Sequence, residues 1–195
     1  MNDRSFVRFG GLAAMLLALT SWAAVLVYAV LVDPEDPRLG LQIFRFLYAL
    51  SAFWALVTVV AVYYLVRPVG EAWALFATLV GVAASIGTMV SGIHEVADLR
   101  QTPPLGAIAA TDPLGVMSFG LGGLWFLLAN LLLRRTTAPR ILALLGLVTA
   151  AALFAAFFAS LSANEGLVFL AAPFAGAISG PIYWLWLGRQ LRRDS

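Results

Sequence analysis

The sequence predicts an all-α polytopic membrane protein: one transmembrane domain over residues 1–195, folded as a six-transmembrane-helix bundle. Three observations predict it. Of the 195 residues, 62% are hydrophobic and 11% charged, with a mean hydropathy of +0.94. A soluble domain is roughly 45–50% apolar and about 25% charged. The apolar residues gather into six runs close to the ~20 residues that a spanning helix needs. Those runs are continuous, which excludes the ~10-residue alternating segments of barrel strands.

The first run covers residues 9–32. Arg4 and Arg8 ahead of it look like the start of a secretory signal, but 24 apolar residues exceed the ~7–15 of a signal core. Cleavage would also leave five spans, which cannot keep the other arginine-rich segments on one side. A retained helix is expected. The second run is 46–66, and Asp36-Pro37 ahead of it reads as an N-cap followed by an N1 proline, from which the helix can start at Pro37. The third, 72–93, carries Gly81, Ser85, Thr88, Gly92 and Glu95 at steps of four, three, four and three, a stripe on one face. Small residues let helices approach closely in lipid, where little hydrophobic drive holds them together. The third helix is therefore expected at the bundle centre.

The fourth run, 114–133, follows Asp112-Pro113 and holds Gly115, Ser118 and Gly122 at comparable spacing. The fifth is 141–161. The sixth, 167–187, is preceded by Ser162-Ala163-Asn164-Glu165, which has the capping-box spacing. It contains Gly176 and Gly180 as a GxxxG seam, and Pro173 and Pro181, which break helical hydrogen bonds unless neighbours satisfy the freed carbonyls. Aromatic residues near the span ends, Trp22, Tyr28, Tyr63, Tyr64, Trp73, Tyr183, Trp184 and Trp186, are expected to anchor at the headgroup level.

Arginine placement sets the topology. The N-terminal, second, fourth and C-terminal segments hold nine arginines against three carboxylates; the intervening segments hold three against seven. Positive loops stay on the cytoplasmic side, so both termini are expected there, in a bacterial inner membrane. The two longest connections then lie outside and carry most of the acidic residues.

Absences narrow the chemistry. Without cysteine there is no thiolate nucleophile, disulfide or iron–sulfur ligand. All twelve basic residues are arginine, so no lysine forms a Schiff base. A single histidine cannot bracket a haem within one chain. A net charge of +2 gives no reason to expect a nucleic-acid partner. The span centres hold no ionisable side chain, which disfavours a proton-coupled transporter.

One constellation remains, at the outer end of the third helix. If the helix continues past Ile93, His94 and Asp98 share a face at i and i+4 with Glu95 beside them, the spacing of a zincin motif with Asp in place of the second His. Asp33, Asp112 or Glu165 would complete a metal site. Alternatively these groups sit in headgroups or water, with Arg45 or Arg100 pairing a carboxylate for ~0–1 kcal/mol. A third reading makes the acidic crown the mouth of an outward-opening cavity. The candidate ligand-binding residues are His94, Glu95, Asp98, Arg45, Thr88 and Ser91.

Phe44-Arg45-Phe46, the stretch Tyr64-Leu65-Val66-Arg67-Pro68-Val69, Gly123-Leu124-Trp125-Phe126-Leu127, the turn from Ala138-Pro139-Arg140 to Gly146, and the stretch from Gly180-Pro181 to Gly188-Arg189 carry a family likeness. Together they resemble a family of bacterial six-span membrane proteins of unknown function. The resemblance covers the chain from about residue 40 onward. It implies six spans in an inner membrane and brings no catalytic residue. The function expected is non-enzymatic: binding of a lipid or small apolar ligand, or of a partner subunit, through an outward-facing site. No cofactor is required. A metal-dependent membrane hydrolase centred on His94, Glu95 and Asp98 is the first alternative, and a channel or uncoupled carrier the second.

Overall fold

In a bilayer no water meets a free backbone N–H or C=O, so each apolar run must satisfy its own polar groups by becoming a helix. The computed structural model describes residues 3–32, 36–98, 116–162 and 164–193, and among these the chain is almost wholly helical, with no strand. Helix α1 covers Asp3–Leu31, α2 Arg38–Val66 and α3 Glu71–Asp98. A π-helical segment, π1 (Val116–Leu121), leads into α4 (Gly122–Leu133), and α5 covers Arg140–Leu161. The last column consists of α6 (Glu165–Pro173), a second π-helical segment π2 (Phe174–Ser179) and α7 (Gly180–Arg193). Five of these columns are long and apolar enough to cross a membrane: α1, α2, α3, α5 and the column formed by α6, π2 and α7. The stretch Ser118–Leu133 is apolar but shorter, and residues 99–115, Pro113 and Asp112 included, lie outside the described ones.

Three helix ends differ from expectation. Pro37 itself is the N-cap of α2, with helical φ −75° and ψ −8° and no side-chain cap, so Asp36 does not take that role. The Pro37 carbonyl already accepts the Leu41 N–H at 2.9 Å, which places the proline inside the first turn. Helix α3 runs on from Ile93 to Asp98, because residues 94–98 contain no breaker and Glu95 is tied to α2. The capping residue of α6 is Asn164, whose Oδ1 accepts the Leu167 N–H at 3.1 Å. Ser162 instead closes α5, its hydroxyl donating to the Phe158 carbonyl at 3.0 Å. The backbone N–H of Asn164 still bonds back to Ala159, so α6 cannot begin as early as Ser162.

The helices pack in chain order, α1 on α2, α2 on α3, α3 on α4, α4 on α5 and α5 on α6, and α7 closes the ring against α1. Among the five long columns the apolar stretch of α2, not that of α3, is the most buried: 44% of it is inside the protein, against 33% for α3. The outward face of α3, with Trp73, Leu79, Ile86 and Val90, is exposed. Its small-residue stripe does face inward, with Gly81 against the Trp125 indole and Gly92 against Ala49 of α2. The arginine-rich segments share one end. Phe6 meets Tyr64 at 6.1 Å between ring centroids, Gly11 lies against Gly188 and Arg192, and Trp73 shares a groove with Arg134 and Arg135.

Two features of the last column depart from the sequence reading. Tyr183 and Trp184 are buried in the core and do not sit at the membrane surface; Trp184 stacks on Trp125 at 5.3 Å and 21°. Gly176 is no packing seam, since a methyl group placed there meets no atom within 4 Å. Pro181, in turn, has no N–H to offer the carbonyl four residues before it, that of Ala177. Trp22 of α1 supplies the missing donor, its indole Nε1–H bonding the Ala177 oxygen at 2.9 Å. Replacing Trp22 with Phe keeps an aromatic ring and removes this bond. The expected loss is ~1–2 kcal/mol of stability, as for an orphaned buried acceptor, visible as a lower unfolding midpoint in mild detergent.

Candidate functional site

Close approach of α2 and α3 builds the end of the site away from the arginine-rich segments. A methyl group at Gly92 would stand 3.0 Å from both the Ala49 Cβ and the Arg45 carbonyl oxygen, so any larger residue would push the two backbones apart by a few tenths of an ångström. That approach brings Arg45 of α2 and Glu95 of α3 into an ion pair through Nε and Oε2. The Ser91 hydroxyl, one turn inward, donates to the Glu95 Oε1 at 3.2 Å. The two side chains are 32% and 13% exposed, so the pair is largely withdrawn from solvent.

A second rung lies deeper. The hydroxyls of Thr88 and Ser118 are 2.9 Å apart, joining α3 to π1, and Tyr48 of α2 lines the same cavity. Four of the six predicted ligand-binding residues, Arg45, Glu95, Ser91 and Thr88, thus fall into two adjacent rungs. His94 is exposed and belongs to neither. The backbone of Asp98 is the last turn of α3, while its side chain, that of Glu165, and all of Asp33, Arg100 and Asp112 lie outside the described residues. Among the described residues no three His, Asp or Glu side chains converge as a metal site. Glu95, the base of the zincin-like reading, is engaged by Arg45 and Ser91.

Behind these rungs the bundle encloses a cavity of about 620 Å³, a volume typical of small-molecule sites. All the columns contribute to its wall, as do both π segments. Along α2 its lining reaches from Phe44 to Val59, which at 1.5 Å rise per residue is ~22 Å, a slot that runs along the helices. Its floor is aromatic: Trp125 stacked on Trp184, with Phe126 at 5.0 Å from Trp184.

The wall contains hydroxyl groups but is apolar in effect, because its serine and threonine hydroxyls are already bonded within the protein. Ser21, Ser51 and Ser85 donate to carbonyls of their own helices at 2.7–2.8 Å. Thr149 of α5 donates to the Leu145 carbonyl or to Ser179 of π2, both at 3.0 Å. A polar solute entering this space would lose its water and find few donors to replace it. A hydrocarbon loses nothing of the kind. Both π segments line the cavity, and such wide turns recur at functional sites because they re-aim side chains and widen the backbone path. Gly176, at the wall of π2, leaves open space where any other residue would project.

Sequence reasoning did not find Tyr48, Ser118, Trp125, Trp184 or Gly176 as parts of one site. The signal it had for the last was Pro173 and Pro181 flanking two glycines, read there as a kink and a seam. Comparison with protein-family models, with curated proteins and with solved structures returned no match for this chain.

Proposed function

We propose that this chain is a non-enzymatic, multi-pass membrane protein that binds a small apolar or amphipathic molecule in the cavity between its helices. In this reading it has six spans, its arginine-rich end faces the cytoplasm of a bacterial cell, and the Arg45–Glu95 end faces outward. The observation that carries the reading is the cavity itself: 620 Å³, aromatic at its floor and bordered by a charged pair at its outer rim. Its internally satisfied hydroxyls favour a hydrocarbon over the hydrated solutes that a channel or carrier would pass.

Gly176→Phe is the direct test. A side chain there enters open space, so the fold is expected to survive while the slot is filled. Extraction of the purified protein with organic solvent, followed by mass spectrometry, is expected to recover an apolar compound near stoichiometry from the native chain. The Gly176→Phe variant, folded to the same helix content, is expected to lose it. Equal recovery from both would refute the cavity as the binding site.

A further inference from the structure

The wall of the cavity is not equally complete on all sides. Buried residues on α1 run from Gly10 to Ala18 and then reduce to Ala24 alone. The inner half of α1 is therefore packed on both flanks, by α2 and by α7, whereas its outer half is held chiefly by α2, with Tyr28 against Phe44 at 5.3 Å. On the other side of the gap, α6 is exposed over most of its length, and Ala171 is its one buried residue among those described. Above the contacts of α1 with α7, the Trp22 indole ties α1 to the last column through the Ala177 carbonyl.

Above that tie, the same side chains line the cavity and face outward. Val25 and Tyr28 of α1 are 39% and 52% exposed, and Phe169 of α6 is 73% exposed; all three belong to the cavity wall. A residue that touches the interior and the exterior at once marks an opening. This opening lies at the level of apolar helix surfaces, Leu26 and Val30 on one side and Leu170 on the other. It therefore faces hydrocarbon.

We infer that the gap between the outer halves of α1 and α6 is a lateral portal, through which one hydrocarbon chain of an outer-leaflet amphiphile passes from the bilayer into the cavity. This rests on the binding reading above and names its ligand class. The slot is long in the helix direction, which suits an extended chain, and being open sideways it leaves the polar head at the membrane surface beside Arg45 and Glu95. The chain never has to cross water, and the cavity never has to hold a headgroup. The Trp22–Ala177 bond forms the sill of the portal, fixing how far inward the gap extends.

The absence of native cysteine allows a clean test. Val25→Cys and Ala172→Cys place one thiol on each side of the gap, by small changes at two wall positions. The double variant is reconstituted in phosphatidylcholine vesicles. It is used unbridged, or after bridging with bis-maleimides of graded length and selection of the bridged protein. Probes are then added that carry a photoreactive diazirine at the chain end, either on a phosphatidylcholine tail or on a free fatty acid. Labelled residues are mapped by peptide mass spectrometry.

Unbridged protein is expected to be labelled at interior positions such as Ala55 and Phe126, and bridging is expected to abolish that labelling. Labelling of the outward face of α3, at Leu79, is expected to stay unchanged. Interior labelling by the phosphatidylcholine probe identifies the tail of a resident phospholipid as the occupant; labelling by the fatty acid alone identifies a single-chain amphiphile. Interior labelling that survives bridging would overturn the portal and leave the cavity reading standing. No interior labelling in the unbridged protein, with Leu79 labelled, would overturn both.

Discussion

Replacing Trp125 with alanine is expected to lower the unfolding free energy by ~3–5 kcal/mol, the range for truncating a buried aromatic residue. The indole is 3% exposed, stacks on Trp184, meets Phe126 edge-on at 5.1 Å and fills the space that Gly81 leaves on α3. Its loss separates three helices at once, so relaxation can recover little of the contact. The bound compound should change too, because removing the floor lengthens the slot. Longer-chain species are expected in the extract of any Trp125→Ala protein that folds. A loss under about 1 kcal/mol, well below the range for such truncations, would show that the aromatic floor does not hold the bundle together.

Arg45→Ala is expected to have the next largest effect. It leaves Glu95, 13% exposed and bonded to Ser91, without its counter-charge. Removing one partner of a fully buried pair costs about 3–5 kcal/mol. Arg45 is about one-third exposed, so solvent screening reduces the expectation to ~2–3 kcal/mol. The second substitution separates charge from packing: Arg45→Ala with Glu95→Ala is expected to recover most of the loss, since neither charge is then stranded. Unfolding midpoints of the two single variants and the double variant, compared as a cycle, check this. If the double variant is no more stable than Arg45→Ala alone, the pair does not join α2 to α3.

The spans were legible in the sequence because a bilayer imposes one simple requirement, ~20 apolar residues in a run. Five long helices appear where five of the runs stand, and π1 with α4 occupies the described part of the fourth run. Helix ends were less legible. Ser162 and Asn164 both suit a cap, and the choice between them rests on where α5 finishes, which spacing cannot show. The third helix was placed at the centre on the strength of its small residues. Small residues mark only where another backbone comes close, and on α3 they occupy one face while Trp73 and Leu79 occupy the other.

The two polar rungs of the site were also partly readable. Arg45, Ser91, Glu95 and Thr88 are polar residues in apolar surroundings, and on α3 the helical spacing alone aligns three of them. The cavity behind them was not readable. Thr88 and Ser118, or Thr149 and Ser179, are bonded across 30 residues of sequence, and nothing local pairs them. Trp184 near a span end has the same sequence signature whether it points to the headgroups or to the core. Gly176 next to Gly180 has the spacing of a seam, yet it borders empty space; only packing distinguishes the two. The Trp22–Ala177 bond follows the same logic. Pro181 announces a carbonyl in need of a donor, but the donor lies 155 residues away.

The central claim, that the bundle holds a hydrocarbon chain between its helices, is tested most directly by a crystal structure grown from a lipid phase. An elongated density is expected from the Arg45–Glu95 pair down to the Trp125–Trp184 stack, continuous with the bilayer between α1 and α6 and absent from Gly176→Phe. A slot filled by separate, hydrogen-bonded waters, or closed by α6 packed against α1, would contradict it.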